Sequence, residues 1–392
     1  MTEKVKLGII GYGAEGGMYA NFFKNNDERL NQDVIQLVAI CDIDPAKKEK
    51  VATDFPGLPF FDNYQDLLDS GVVNAIVTTV PHYDHVEIGI AALERGIHLL
   101  GEKPAGVYTK EVERLIETAE KHPETTFAIF FNQRTNPLYR RVKQLMDDKV
   151  IGDLQRATWF ITTWWRPQGY YNQSDWRATW GGEGGGVLVN QAPHQLDLYQ
   201  WICGKPEKVT AKLQYGAGRS IVVENEVNAL LDFGNGVTGS FITCTHDLVG
   251  TDRFEIFGSQ GKIVVEDSKK LIIKKLVKPE AELSDEMTMD DVARIFMGQV
   301  DMNNYVEETV EEYEMVFGQQ HIDVLNNFAN HIVNGEELLA PGADGINGVR
   351  LANAMHLSDW LNQEVDYNHD QDLYLAELNK RIEEEGKFAT KN

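Results

Sequence analysis

Val5-Lys6-Leu7-Gly8-Ile9-Ile10-Gly11-Tyr12-Gly13-Ala14-Glu15-Gly16 is the stretch on which the fold turns. An aliphatic run over 5–10 passes directly into a glycine turn, and helical spacing follows over 15–24. In the pattern Gly-x-Gly-x-x-Gly the first glycine permits a tight turn. The second lets the backbone approach a pyrophosphate, and the third lets the helix lie close on the sheet. Free N–H groups at the helix N-terminus then face the phosphates. The motif carries weight only after a strand and at the head of a helix, and both conditions are met. Gly11, Gly13, Ala14, Glu15 and Gly16 are therefore candidate cofactor contacts.

The same rhythm continues outward. Strands are expected at 34–41, 75–80, 98–100 and 127–131, with helices at 45–54, 85–95 and 109–121. Such alternation means parallel strands joined by crossover helices, a doubly wound sheet. The second strand ends at Asp42, where a carboxylate can accept hydrogen bonds from both ribose hydroxyls and would repel a 2′-phosphate. No arginine follows closely, so NAD is expected over NADP. Asp44, just before Pro45, reads as a helix cap.

Beyond about residue 150 the pattern changes. Strands are expected at 158–164, 208–213, 225–233, 237–245, 253–258 and 262–266, mostly without helices between them. Asn235-Gly236 is a hairpin signal. The chain thus reads as α/β plus α+β, with a Rossmann domain at 1–135 and a mostly antiparallel open-sheet domain at 136–392. Helical spacing over 319–363 is expected to pack back on the first domain, and a polar tail to follow.

Bulk properties narrow the function. The 392 residues exceed one ordinary domain. A formal charge of -24 repels phosphate backbones and anionic membranes, so neither nucleic acid nor membrane is an expected partner. The three cysteines are far apart and lack metal-ligand spacing, which fits a reduced cytoplasmic setting with no metal. No secretory leader is expected, because the first strand begins at Val5.

Gly101-Glu102-Lys103-Pro104 follows a later strand of the first domain, at the edge that faces the ligand crevice. A lysine there can hydrogen-bond a substrate hydroxyl. With the glycine turn and acidic second-strand end, this motif resembles the Gfo/Idh/MocA oxidoreductases, which include glucose–fructose oxidoreductase and inositol dehydrogenases. Thr79-Val80-Pro81 with His85, Ala91-Ala92-Leu93 with Gly96, Phe131-Asn132-Gln133-Arg134, Ile151-Gly152, Gly184-Gly185-Gly186-Val187-Leu188 and Asn190-Gln191-Ala192-Pro193-His194-Gln195-Leu196-Asp197 extend the resemblance over about 5–360.

The resemblance implies NAD-dependent hydride transfer at a carbinol of a sugar, glycoside or cyclic polyol. Lys103, His194 and Asn190 stand at the catalytic positions, with His194 as general base. Pro81, His82, His85, Glu102, Lys103 and Asn132 would line the cofactor. Arg134 joins Lys103, Asn190 and His194 on the substrate side. Many members carry aspartate where Asn190 stands. Asparagine orients a hydroxyl but holds no charge. A spacing of four would place Asn190 and His194 on one helix face.

Trp159, Trp164, Trp165, Arg166, Tyr170, Tyr171, Trp176, Arg177 and Trp180 crowd together before that helix. Aromatic faces stack on sugar C–H faces, so Trp165, Arg166, Tyr170, Trp176 and Arg177 are candidate substrate contacts, with buried core as the competing explanation. Two other functions stay open: a glycoside hydrolase or lyase that oxidises transiently with NAD, and a non-catalytic nucleotide-binding sensor. The resemblance also implies a homodimer or homotetramer.

Overall fold

The computed structural model describes residues 4–392. Its first part alternates β1 (Val5–Ile10), α1 (Ala14–Lys24), β2 (Ile35–Cys41), α2 (Pro45–Asp54), β3 (Phe60–Phe61), α3 (Tyr64–Asp69), β4 (Ala75–Thr78), α4 (Asp84–Leu93), β5 (His98–Gly101), α5 (Thr109–Lys121) and β6 (Phe127–Ile129). The strands form one parallel sheet in the order β3-β2-β1-β4-β5-β6. The order reverses between β1 and β4, and the carboxyl ends on either side of that point enclose the crevice where such sheets bind ligands. β1 and β4 are fully or almost fully buried, as strands covered by helices on both faces must be.

The second part contains α6 (Pro137–Asp147), β7 (Leu154–Ile161), the short α7 (Gln168–Tyr171), α8 (Pro193–Cys203), β8 (Lys208–Tyr215), β9 (Glu224–Asp232), β10 (Thr238–Cys244), β11 (Asp252–Gly258), β12 (Gly261–Glu266), β13 (Lys270–Leu276), α9 (Glu280–Glu286), α10 (Met289–Phe296), β14 (Val306–Glu312), α11 (Gln319–Asn334), α12 (Gly345–Leu361), β15 (Val365–Asp366) and α13 (Gln371–Glu385). Nine strands make the sheet β14-β13-β12-β11-β7-β10-β9-β8-β15. Only the central β7–β10 pair is parallel. Asn235 and Gly236 both have positive φ, as the tight connection from β9 to β10 requires.

Trp159 is fully buried on β7, stacked on Phe254 at 4.4 Å, with its indole N–H donating to Asp252 at 3.1 Å. Trp180 is also buried, edge-on to His356 and Trp360. Both leave the expected aromatic rim for the core. β7 starts and ends earlier than its β-branched composition suggests, which frees Trp164 and Trp165 from the sheet.

α11 buries Ile322, Leu325 and Phe328 among the β1 and α1 side chains Val5, Tyr19 and Phe22. α12 lies over β8 and against α8. The tail expected to be polar is in fact α13, whose Tyr374, Leu375, Leu378 and Ile382 form one buried stripe. Its acidic outer face hides that period in the linear sequence.

Candidate active site

The phosphate turn is built as the glycines dictate. Gly11 has φ +98°, and a Cβ there would meet the Thr79 carbonyl oxygen at 2.4 Å. A Cβ on Gly16 would lie 2.0 Å from the Gly11 oxygen. A Cβ on Gly13 would meet nothing within 4 Å. Gly13 caps α1 without any side-chain hydrogen bond, so the helix presents bare N–H groups to open space. These residues fit a dinucleotide pyrophosphate. Ala14 and Glu15 are exposed beside the turn. Asp42 directly follows β2, with Oδ2 accepting from the Tyr12 amide at 2.6 Å and Oδ1 accepting from the Asp44 amide at 2.8 Å. It therefore braces the turn. Asp44 caps α2 through the Ala46 amide.

Lys103 follows β5, half-buried, with its ammonium donating to the backbone carbonyl of Asn190 at 2.9 Å. Glu102 beside it is buried, accepting from the Tyr19 hydroxyl and from the Lys103 amide. Burial pushes its carboxyl up to about 7. His85 lies between the carbonyls of Pro104 and Val80, at 2.7 and 2.8 Å, and fixes the two turns to each other. Pro81 lies partly exposed in the first of these turns. The neighbouring His82 is buried, its Nδ1 2.9 Å from the Glu183 carbonyl.

His194 opens α8. Its Nδ1 is buried without a hydrogen-bond partner among the described residues. Burial, then Lys103 and His321, hold the imidazole well below its ordinary range. It is thus neutral, the form that accepts a proton. Asn190 departs from expectation. α8 begins at Pro193, so Asn190 lies in the turn before it and shares no helix face with His194. Pro193 sets this boundary, because proline is favoured in the first helical turn.

The Asn190 side chain is held at both ends. Its Oδ1 accepts from Gln191 at 2.8 Å and from the Tyr170 hydroxyl at 3.2 Å, while its Nδ2 donates to Glu183 Oε1. Arg177 donates to the Tyr170 oxygen at 2.6 Å and stacks over Tyr170 and Trp176. Trp176 lies edge-on to His82. Arg166 stacks over Tyr170, and Arg219 over Trp165. Tyr170, Trp176 and Arg177 thus join the Lys103–Asn190 locus, with Arg166 one ring further out.

Arg134 does not fit as a substrate contact. It is buried and paired bidentately with Asp197 at 2.6 and 2.9 Å, and it also donates to Asp344 at 2.7 Å. All three guanidinium nitrogens are committed to protein acceptors, so it ties α8 to the start of α12. Asn132 pairs with His321 Nε2 at 2.8 Å.

Two residues of the site escape sequence reading. Glu183 stands in a glycine-rich stretch that hides it. His321 arrives on α11, far along the chain, and burial followed by Lys103 lowers its imidazole to about 4. Elsewhere, Glu226, Cys244 and His246 bring ligand-type atoms within 4.8 Å of one another, a grouping the linear cysteine spacing does not reveal.

Residues 5–130 match the family model described as an oxidoreductase family with an NAD-binding Rossmann fold, and 139–264 match the GFO/IDH/MocA C-terminal domain. The chain is a Gfo/Idh/MocA oxidoreductase. It is 21% identical over 240 residues to inositol 2-dehydrogenase of Corynebacterium glutamicum, covering 60% of this chain and 66% of that one. It is 28% identical over 201 residues to an inositol 2-dehydrogenase/D-chiro-inositol 3-dehydrogenase of Lactiplantibacillus plantarum, covering 50% and 52%. The chain therefore aligns with less than two thirds of the length of each of these relatives. Levoglucosan dehydrogenase, solved with NADH and L-sorbose, superposes with a TM-score of 0.77 at 19% identity, covering 94% of this chain and 100% of that one. No helix among the described residues is long and apolar enough to cross a membrane.

Proposed function

We propose that this Gfo/Idh/MocA oxidoreductase oxidises, or in reverse forms, a carbinol of a sugar, glycoside or cyclic polyol, with NAD as the hydride carrier. The observation that carries the reading is the Lys103–Asn190 contact beside the neutral His194, at the carboxyl end of the strands that also support the glycine turn.

Gly11, Gly13, Gly16 and the α1 N-terminus would hold the pyrophosphate, and Asp42 would hold the adenosine ribose. NAD supplies hydride acceptance at its nicotinamide. The chain does the rest. Lys103 donates a hydrogen bond to the reacting oxygen and stabilises its developing negative charge. His194 takes the hydroxyl proton. Asn190 orients the hydroxyl, and Tyr170 and Trp176 offer faces to the ring, with Arg177 bridging them. The inositol and levoglucosan dehydrogenases among its relatives support a sugar or polyol carbinol as the reacting group.

The expected assembly is a homodimer or homotetramer through the outer face of the nine-stranded sheet. Phe160 and Leu230 stand exposed on the face opposite the core, with Ile242 paired beside Phe160. The reading is tested by Lys103→Met and His194→Gln. Each must lose turnover by orders of magnitude while retaining NAD⁺ affinity and the circular dichroism spectrum. Wild-type turnover in both would overturn it.

A further inference from the structure

The active site lacks an ionisable side chain at 190, yet a buried carboxyl lies one hydrogen bond away. Glu183 is only 2% exposed. Its Oε1 accepts from Asn190 Nδ2, and its Oε2 accepts from the Ala178 amide at 2.6 Å. Both oxygens face amide N–H donors, the arrangement that an ionised carboxylate satisfies in full. Its backbone carbonyl meets His82 at 2.9 Å, and Arg177 approaches Oε1 at 3.6 Å. The carboxyl is thus embedded between the turn bearing Asn190, the arginine that binds Tyr170, and a histidine of the first domain.

We infer that Glu183 is a positioning residue of the reaction, whose ionised carboxylate fixes the orientation of the Asn190 amide, so that the Glu183–Asn190 pair replaces a single carboxylate at position 190. This rests on the function proposed above. An asparagine amide has a donor end and an acceptor end, and which end faces which neighbour depends on its partners. The ionised Glu183 accepts only, so it holds Nδ2, and Oδ1 must face Gln191 and Tyr170. Protonation turns one Glu183 oxygen into a donor. The Asn190 amide then rotates to offer Oδ1 to that proton, and the bonds from Gln191 and Tyr170 lose their acceptor.

The groups around Glu183 place this switch near neutrality. Burial raises the carboxyl to about 7, opposed by the Ala178 amide, Arg177 and Asn190 and reinforced by the Glu224 carboxylate. His82 is neutral, because burial lowers its imidazole well below the ordinary range, and it adds no charge. The proton released on ionisation goes to solvent.

The test exchanges the pair. Glu183→Gln offers one acceptor where Asn190 and Ala178 each need one, and it carries no charge. Its kcat should fall about tenfold or more, equivalent to roughly 1.4 kcal/mol, with NAD⁺ affinity retained. The acid limb of kcat/KM near neutrality should disappear. Adding Asn190→Asp should restore most of the lost kcat, because an amide at 183 then donates to a carboxylate at 190. A merely structural glutamate predicts no such rescue.

Infrared titration of the substrate-free protein supplies the second readout. Glu102 and Glu111 are also raised to about 7, so the Glu183 protonated-carboxyl band is read as the difference between wild type and Glu183→Gln. That difference band should vanish as pH rises through about 7 and move to higher pH in Asn190→Ala, which removes one hydrogen bond from the carboxylate. A Glu183→Gln enzyme with wild-type kcat and acid limb overturns the inference, as does a band that does not titrate or ignores Asn190. A band that titrates and responds to Asn190 in a protein that oxidises no polyol overturns the proposed function and leaves the coupling standing.

Discussion

The Lys103 ammonium donates to the Asn190 backbone carbonyl across 2.9 Å, joining the end of β5 in the parallel sheet to the turn that leads into α8. One side chain thereby sets the spacing between the segment that follows the nucleotide sheet and the segment that carries His194. Lys103→Met keeps the aliphatic stem and removes both the contact and the charge. Its kcat should fall by about 10²–10⁴-fold, the range of a lost proton-handling or oxyanion group. Steady-state kinetics at saturating NAD⁺ checks this, and a loss confined to KM would assign Lys103 to binding alone.

The glycines of the phosphate turn should separate binding from folding. A Cβ at position 13 meets open space, whereas a Cβ at 16 meets backbone at 2.0 Å. Gly13→Ala should therefore weaken NAD⁺ with little change in melting temperature. Gly16→Ala should lower the melting temperature as well, through an overpacking penalty of about 1–3 kcal/mol. Calorimetric NAD⁺ titration and thermal melts on both variants decide it.

Asp42 should govern cofactor choice. Asp42→Ser removes the charge that repels a 2′-phosphate while leaving a hydroxyl to meet the Tyr12 amide. The ratio of NADP⁺ to NAD⁺ dissociation constants should fall by about tenfold. An unchanged ratio would confine Asp42 to bracing the turn.

Arg134→Ala should destabilise by about 3–5 kcal/mol, because it strands the buried Asp197 carboxylate. Denaturant unfolding checks it. A loss of substrate affinity without loss of stability would return Arg134 to the substrate side.

Glu111 gives a pH signature. Its carboxyl is buried, accepts from the Val107 and Tyr108 amides, and is raised by burial from 4.5 to about 7. Between those values the folded state keeps a proton that the unfolded chain has released. Stability from this group is fully present below pH 4.5 and is lost as pH rises through about 7. Glu111→Gln removes that dependence. The melting temperature of the wild type relative to this variant should therefore fall as pH rises across this window.

Much of the first domain is legible in the sequence because its signals are local. A buried parallel strand is an aliphatic run, and each glycine of the turn answers to a steric need within a few residues. Lys103 is legible for the same reason, since it follows a recognisable strand. Trp159 and Trp180 are not, because an aromatic beside a sugar and an aromatic in a core have the same composition. Arg134 looks like a ligand for a hydroxyl until Asp197 and Asp344 are seen against it. Asn190 and His194 have helical spacing in the sequence, but Pro193 starts the helix between them. Glu183 becomes a site residue through an irregular turn that brings it back to Asn190, and His321 through its distant contact with Asn132, and no helix or strand period encodes either.

The most direct measurement incubates the purified protein with NAD⁺ and, separately, inositols, free hexoses, anhydrosugars and glycosides, following reduced-nicotinamide absorbance and product mass. The account predicts NADH formed one-for-one with a product two hydrogens lighter than a polyol or sugar in the panel. A cleaved glycoside with no net NADH, or tight NAD⁺ binding with no turnover on any polyol, would contradict it.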